Sequence, residues 1–217
     1  MYWYKNGHDF QLEIKSSNNQ WRKKHGYKTS DILIIYAGIL GHAQGLETCL
    51  NAANILKNNK KIHFLIYGTG PEEQGLKKIK NNYLLNNVRF FGHIQKAELS
   101  KVLPNIDIGI VPLKNLSIFK GAIPSKIFDI LSHKKPLLLG INGEAKHIFI
   151  DRARGGLHFE PENENDLVDK IKKLSNSSKT RIQLGNNGYD FIKTEFNRSK
   201  ILESFFILIR NFISTKW

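Results

Sequence analysis

From Gly121 to Asp129 the chain reads Gly-Ala-Ile-Pro-Ser-Lys-Ile-Phe-Asp, a run able to handle an anion. Pro124 and Ser125 stand where a loop would enter a helix. Proline suits a first turn because its missing N–H has no partner there, and serine can cap the free amides. Lys126 adds a full positive charge to the positive end of the helix dipole. Asp129 falls three residues on, one turn further in and on the same face. A cation at a helix mouth with a carboxylate behind it suits a nucleoside diphosphate, with lysine for phosphate and carboxylate for the ribose hydroxyls. The same residues also make an ordinary loop-to-helix junction with a surface lysine, so the elements around them decide.

Those elements alternate. Ile32–Ala37 is a short apolar run bounded by Gly38 and reads as a buried strand. Leu46, Cys49, Leu50, Ala53 and Leu56 follow at helical spacing. A second strand spans Ile62–Tyr67 and a helix about Glu72–Leu84. Val88–Phe91 leads into Gly92, Lys96–Leu103 is a short helix, and Ile106–Val111 a fourth strand. The helix after Pro124 leads to a strand over Pro136–Ile141, a helical stretch over Glu144–Asp151 and a short strand over Gly156–Phe159. Helices are expected over Asn165–Leu174 and Thr180–Thr194, and a last one carries an apolar stripe of Ile201, Phe205, Leu208, Ile209, Phe212 and Ile213. This order implies an α/β fold, a doubly wound parallel sheet of roughly six strands with helices on both faces and a helical C-terminal tail. Such sheets bind ligands at the carboxyl ends of their strands.

Glycine turns occur at those ends. Gly38 and Gly41, with His42 beside them, follow the first strand. Gly68 and Gly70 follow the second. Glycines there let backbone amides approach a phosphate, although the spacing is not that of a dinucleotide fingerprint. Gly92, His93 and Ile94 follow the third strand, where a backbone turn could hold a flat base. The histidines show no metal-ligand spacing, and neither a metal nor a cofactor is assigned. Asp107 is expected inside a strand, buried and hydrogen-bonded. Glu144 either faces the ligand or caps a helix. No nucleophile–base order stands out.

The chain has 217 residues, 41% of them hydrophobic, enough for a substantial core. Cys49, the only cysteine, excludes a disulfide framework and reads as a core thiol in a reducing compartment. The net charge of +14 admits nucleic acid, an anionic membrane surface or simple compositional drift. No nucleic-acid recognition module is visible. The basic residues are scattered, which favours drift with weak membrane attraction as a by-product. No apolar run approaches the length of a membrane span, and the first residues have no signal-peptide layout. The C-terminal stripe fits packing against the same domain or a partner better than a membrane face, because its polar side is not rich in cations.

Several segments together resemble the C-terminal half of a GT-B glycosyltransferase of family GT4, from about Asn6 to about Phe212. They are Asn6-Gly-His-Asp9, Tyr36 to Glu47, Gly68-Thr-Gly-Pro71, Asn87 to Gly92, Ile123 to Asp129, Lys135-Pro136 and Gly143-Glu144. The Ala-Gln-Gly-Leu and Ile-Pro-Ser-Lys forms are similar to the bacterial branch that builds surface polysaccharides. The resemblance implies a Rossmann-like domain that binds a UDP-sugar. Gly38 and Gly41 would turn amides toward the diphosphate and Lys126 a charge, Gly92 to Ile94 would hold the base, and Asp129 would take the ribose in place of the second Glu of an E-x7-E pair. The first Glu of that pair falls at Gly121 and is absent. Arg and Lys, common around the first glycine turn, are replaced by Ile39 and Gln44.

The resemblance further implies that residues 1–30 are an interdomain segment with the first helix and 31–217 the nucleotide-sugar domain. It places an N-terminal acceptor domain of about 170–200 residues outside this chain, acting in cis or trans. Partners would be the nucleotide-sugar, a glycan or lipid-linked acceptor and that domain, with no nucleic acid. The location implied is cytoplasmic, peripheral at the inner face of the plasma membrane. The competing reading is a non-catalytic nucleotide-sugar-binding or partner-binding remnant. An epimerase of the same layout ranks lower, because it needs more acid/base groups.

Overall fold

A computed structural model describes residues 19–214. The Asn6–Asp9 segment lies outside them, as do the side chains of Leu208, Phe212 and Ile213. Six parallel strands are seen among the described residues: β1 (Ile32–Ala37), β2 (Ile62–Tyr67), β3 (Val88–Gly92), β4 (Ile108–Pro112), β5 (Leu137–Gly140) and β6 (Gly156–His158). They form one sheet in the order β3-β2-β1-β4-β5-β6. β1 pairs with β2 along its whole length, from Ile32 beside Ile62 to Ala37 beside Tyr67. On its other side it pairs with β4 through Ile34–Ile108 and Ile35–Gly109. The order reverses between β1 and β4, so a crevice opens above their carboxyl ends.

The crossovers are helical. α1 (Asn19–Lys24) precedes the sheet. α2 (Leu46–Ile55), α3 (Glu73–Asn82), α4 (Lys96–Val102) and α5 (Lys126–Ser132) connect strands, and α6 (Glu144–Lys146) runs into a π-helical turn over His147–Arg152. α7 (Glu164–Ser175), α8 (Ser178–Glu195) and α9 (Arg198–Ser214) follow. Ile34 and Tyr36 of β1 pack with α2 and α7 on one face. Leu33 and Ile35 pack on the other with Val102, Leu103 and Ile106. A strand covered on both faces needs apolar residues at every position, which is why β1 is a continuous run rather than an alternation. Cys49 is buried in the first of these cores, and burial pushes its thiol up to about 12.

Helix starts follow local chemistry. The Asn163 carboxamide accepts from the Asp166 amide at 2.9 Å, and the Ser177 hydroxyl accepts from the Thr180 amide at 3.1 Å, so α7 and α8 begin on side-chain caps.

Two expectations move. β4 begins at Ile108, so Asp107 stands just before the strand rather than inside it. Its carboxylate accepts from the Leu33 amide at 2.8 Å and pairs with Arg22 at 2.7 Å, which ties α1 to the amino edge of the sheet. Of the α9 stripe, the described side chains of Ile201, Phe205 and Ile209 are absent from the three cores, and Phe205 and Ile209 are exposed. No helix of the described residues is long and apolar enough to cross a membrane.

Candidate functional site

A cavity of about 410 Å³ opens at the carboxyl edge, at the crevice between β1 and β4. Of the residues singled out from sequence, Gly38, Ile94, Ser125, Lys126 and Asp129 line it. Ile39, Gln44, Lys96 and Leu99 complete most of the wall.

Lys126 is the centre of this wall. Its Nζ donates to Gln44 Oε1 at 2.6 Å and to the Tyr36 hydroxyl at 3.0 Å, and it lies 4.2 Å from the centroid of the Tyr36 ring. Among the described residues it forms no ion pair, since the salt bridges join other partners. Burial lowers its ammonium to about 8. A cation held by neutral acceptors at the rim of a cavity can still take an anion. Gly38 makes room for it, because a Cβ there would sit 2.9 Å from Nζ.

Ser125 lines the cavity but does not cap α5. Its own φ and ψ are helical, at −59° and −28°, whereas a capping serine needs an extended backbone to turn its oxygen onto the amides. Nor does Lys126 project freely from the helix mouth; its side chain folds back onto β1. Asp129 is placed as expected, one turn further along α5, with Oδ1 3.7 Å from Lys96 Nζ.

The second glycine turn is a support and not a wall. The Gly68 amide is spent on the Gly92 carbonyl at 2.6 Å. Gly68 has φ of +130°, and a Cβ there would run into the Gly38 carbonyl. Gly70 packs in the same way under Leu40. Leu40 N to Thr69 O and Glu72 N to Leu40 O, each 2.9 Å, zip the two loops together. Gly68 and Gly70 therefore shape the first loop without lining the cavity, since close backbone packing leaves no space for a ligand between them. Gly41 and His42 also lie outside the lining. His42 is exposed, with Nε2 2.8 Å from Lys114 Nζ and Nδ1 3.8 Å from Glu72. Of the third turn, Ile94 lines the cavity while Gly92 and His93 do not, and His93 is exposed. No group of described residues could hold a metal ion.

Sequence reasoning missed Tyr36, Gln44 and Lys96 as parts of the site. Gln44 was legible only as a departure at a position where a cation is common. Tyr36 looked like core, and nothing in the order of residues reported that its hydroxyl reaches the Ile39 carbonyl at 2.7 Å.

A doubly wound sheet with its cavity at the switch point defines a Rossmann-like domain, the fold of GT-B glycosyltransferase C-terminal domains. The chain belongs to the glycosyl transferases group 1 family, whose pattern matches residues 17–191. It is 26% identical over 202 residues to WbjE of Pseudomonas aeruginosa, described as a probable glycosyltransferase, covering 90% of this chain and 46% of that one. It is 32% identical over 100 residues to WcaI of Escherichia coli K12, whose description names colanic acid biosynthesis, covering 46% of this chain and 24% of that protein. In structure it is similar to HepE of Anabaena, solved in complex with UDP and glucose, with a TM-score of 0.78 at 14% identity over 94% of this chain and 55% of that one. The chain thus spans about half the length, or less, of the curated relatives it matches.

Proposed function

We propose that this chain is the donor-binding domain of a retaining glycosyltransferase that takes a UDP-sugar and serves surface-polysaccharide assembly. The observation that carries the reading is the Lys126 ammonium, half-buried at a switch-point cavity, held by neutral oxygens and without a carboxylate partner among the described residues. A nucleoside diphosphate supplies the missing anion. Asp129 on the same wall suits the ribose hydroxyls, and Ile94 offers the base an apolar contact. Support for UDP comes from the ligand of the similar HepE structure, and support for polysaccharide from the description of WcaI.

In such a transfer the bond from the anomeric carbon to the diphosphate oxygen breaks and the diphosphate leaves with the electron pair, while the acceptor hydroxyl oxygen bonds to the anomeric carbon and gives its proton to the departing phosphate oxygen. Donors aimed at the leaving group therefore lower the barrier more than a dedicated base does. The acceptor, a glycan or a lipid-linked sugar, is assigned to an N-terminal domain in cis or trans. The +14 charge supports docking at an anionic inner membrane face. Binding to anionic vesicles should then fade near physiological salt, as the screening length falls to about 8 Å.

Titration calorimetry with UDP, followed by transfer assays with and without an N-terminal domain fused before Asn6, tests the reading. UDP binding without transfer by the chain alone, and transfer on adding the domain, are expected. Absence of UDP binding would sink it. The second reading, a binding remnant without catalysis, is favoured by Gly121, which is exposed and offers no side chain at the position of the absent Glu. Transfer restored by the added domain would dismiss that reading.

A further inference from the structure

We infer that Gln44 is a positioning and binding residue of the donor site: its amide oxygen fixes the Lys126 ammonium, and its amide NH2 donates to the same anionic group. The inference rests on the donor-binding reading above and adds a residue to it.

The backbone of Gln44 is fixed where the loops after β1 and β4 cross. It closes a short turn over His42–Gln44, with its amide donating to the Gly41 carbonyl at 2.9 Å. The neighbouring Ala43 carbonyl accepts from Lys114 N at 3.0 Å. Gly45 follows with φ of +60°, which lets the chain turn directly into α2. The side chain then faces the cavity.

Its orientation follows from hydrogen-bond chemistry. An ammonium has only donors, so the end of the amide 2.6 Å from Lys126 Nζ is the carbonyl. The NH2 end then points elsewhere, and no acceptor among the described residues meets it. Lys126 itself has three N–H bonds, of which Gln44 and Tyr36 take two. One N–H of Lys126 and the NH2 of Gln44 remain for an anion in the cavity. Two donors anchored on different elements, the His42–Gln44 turn and α5, define the position of a phosphate oxygen better than one flexible lysine does.

A cation at position 44 would serve differently. A second ammonium 2.6 Å from Nζ would repel it, so the glutamine and Lys126 are complementary. The groups around Lys126 are Tyr36 from β1, Cys49 from α2 and, one turn further along α5 on the same cavity wall, Asp129 paired with Lys96. Burial keeps the Tyr36 hydroxyl and the Cys49 thiol protonated well above neutral pH, so the Lys126 ammonium is the group that titrates at this point.

The test uses the full chain and two measurements. Nitrogen NMR of lysine-labelled protein follows the Lys126 ammonium without ligand. In Gln44→Glu a carboxylate replaces the neutral acceptor, and the titration should move up by at least one pH unit. Calorimetry then compares UDP with uridine. Gln44→Glu should weaken UDP tenfold or more at pH 7 and flatten its loss between pH 7 and 9, with uridine unchanged. Gln44→Asn withdraws the amide by one methylene and should weaken UDP severalfold with the same uridine control, which keeps the proposal open to test if the glutamate variant fails to fold. An unmoved Lys126 titration, or equal losses for UDP and uridine, would overturn the inference. Failure of the unaltered chain to bind UDP, with the NMR shift present, would instead strike the donor-binding reading and leave the Gln44–Lys126 contact standing.

Discussion

The amino and carboxyl edges of the sheet each hold a cation beside β1, Arg22 buried and Lys126 half-buried, and they treat it differently. At the amino edge Arg22 is held by a full set of acceptors. Its Nε donates to the Asn105 carbonyl at 2.9 Å, Nη1 to the Asp31 carbonyl at 2.9 Å, and Nη2 pairs with Asp107 at 2.7 Å. At the carboxyl edge Lys126 has two neutral oxygens and no carboxylate. A buried charge with its counterion fastens elements together. A charge partly withdrawn from water without one costs stability and is kept where a ligand supplies the partner. The choice of residue follows, since the arginine fork suits several fixed acceptors and the lysine point charge suits a single mobile anion.

The largest effect that could break this comparison is on stability. Arg22→Met leaves the half-buried Asp107 carboxylate and the buried Asn105 and Asp31 carbonyls without their guanidinium partner, and should cost about 3–5 kcal/mol in urea unfolding. Lys126→Met should leave stability unchanged or raise it. The sign follows from linkage. Burial holds the folded ammonium near 8, below its ordinary 10.5, so charging it opposes folding below pH 8 and the penalty fades as pH rises from there to 10.5. Equal destabilisation by both variants would mean that Lys126 is also structural.

Binding should reverse the ranking. A charged hydrogen bond is worth about 1.5–3 kcal/mol, so Lys126→Met should weaken UDP by about ten- to a hundredfold and leave uridine nearly unchanged. Equal losses for the two ligands would remove Lys126 from the phosphate. Arg22→Met, measured where it is still folded, should alter neither affinity.

A smaller effect sharpens the point through pH. With its ammonium near 8, Lys126 is mostly charged at pH 7 and about one-tenth charged at pH 9. UDP affinity should therefore fall about tenfold over that interval, because only the protonated fraction is competent. The dependence should vanish in Lys126→Met. A profile identical in the two proteins would place the titrating group elsewhere.

Much of this was legible in the sequence, for physical reasons. The strands are buried on both faces, so their apolar runs are continuous and bounded by glycine, and the parallel order follows from their alternation with helices. Lys126 and Asp129 were legible as neighbours at the cavity because both lie on one short segment entering the crevice. What escaped depended on contacts distant in sequence. Arg22 reaches Asp107 across 85 positions and Lys126 reaches Tyr36 across 90, and no local spacing encodes such pairs. The glycine turns were all read as ligand-facing, yet Gly68 and Gly70 are small because another loop packs on them. A glycine that admits a phosphate and one that admits a neighbouring backbone look alike until the neighbour is placed.

Asp129 gives the smallest and most discriminating effect, because here the two edges come closest in kind. Like Asp107 it is a carboxylate beside a cation, but its partner Lys96 is exposed and 3.7 Å away, a pairing worth only about 0–1 kcal/mol. The carboxylate is thus cheaply released to a ligand. Aspartate accepts from two hydroxyls at once, whereas asparagine offers one acceptor and a donor. Asp129→Asn should leave stability unchanged and weaken UDP by about three- to tenfold, roughly one hydrogen bond's net worth. A 2′,3′-dideoxy analogue of UDP, which has no hydroxyls to offer, should bind both proteins equally. If the substitution weakens the analogue as much as UDP, the carboxylate acts through the charge of the cavity wall and not through the ribose. The site would then read a diphosphate by Lys126 and Gln44 alone.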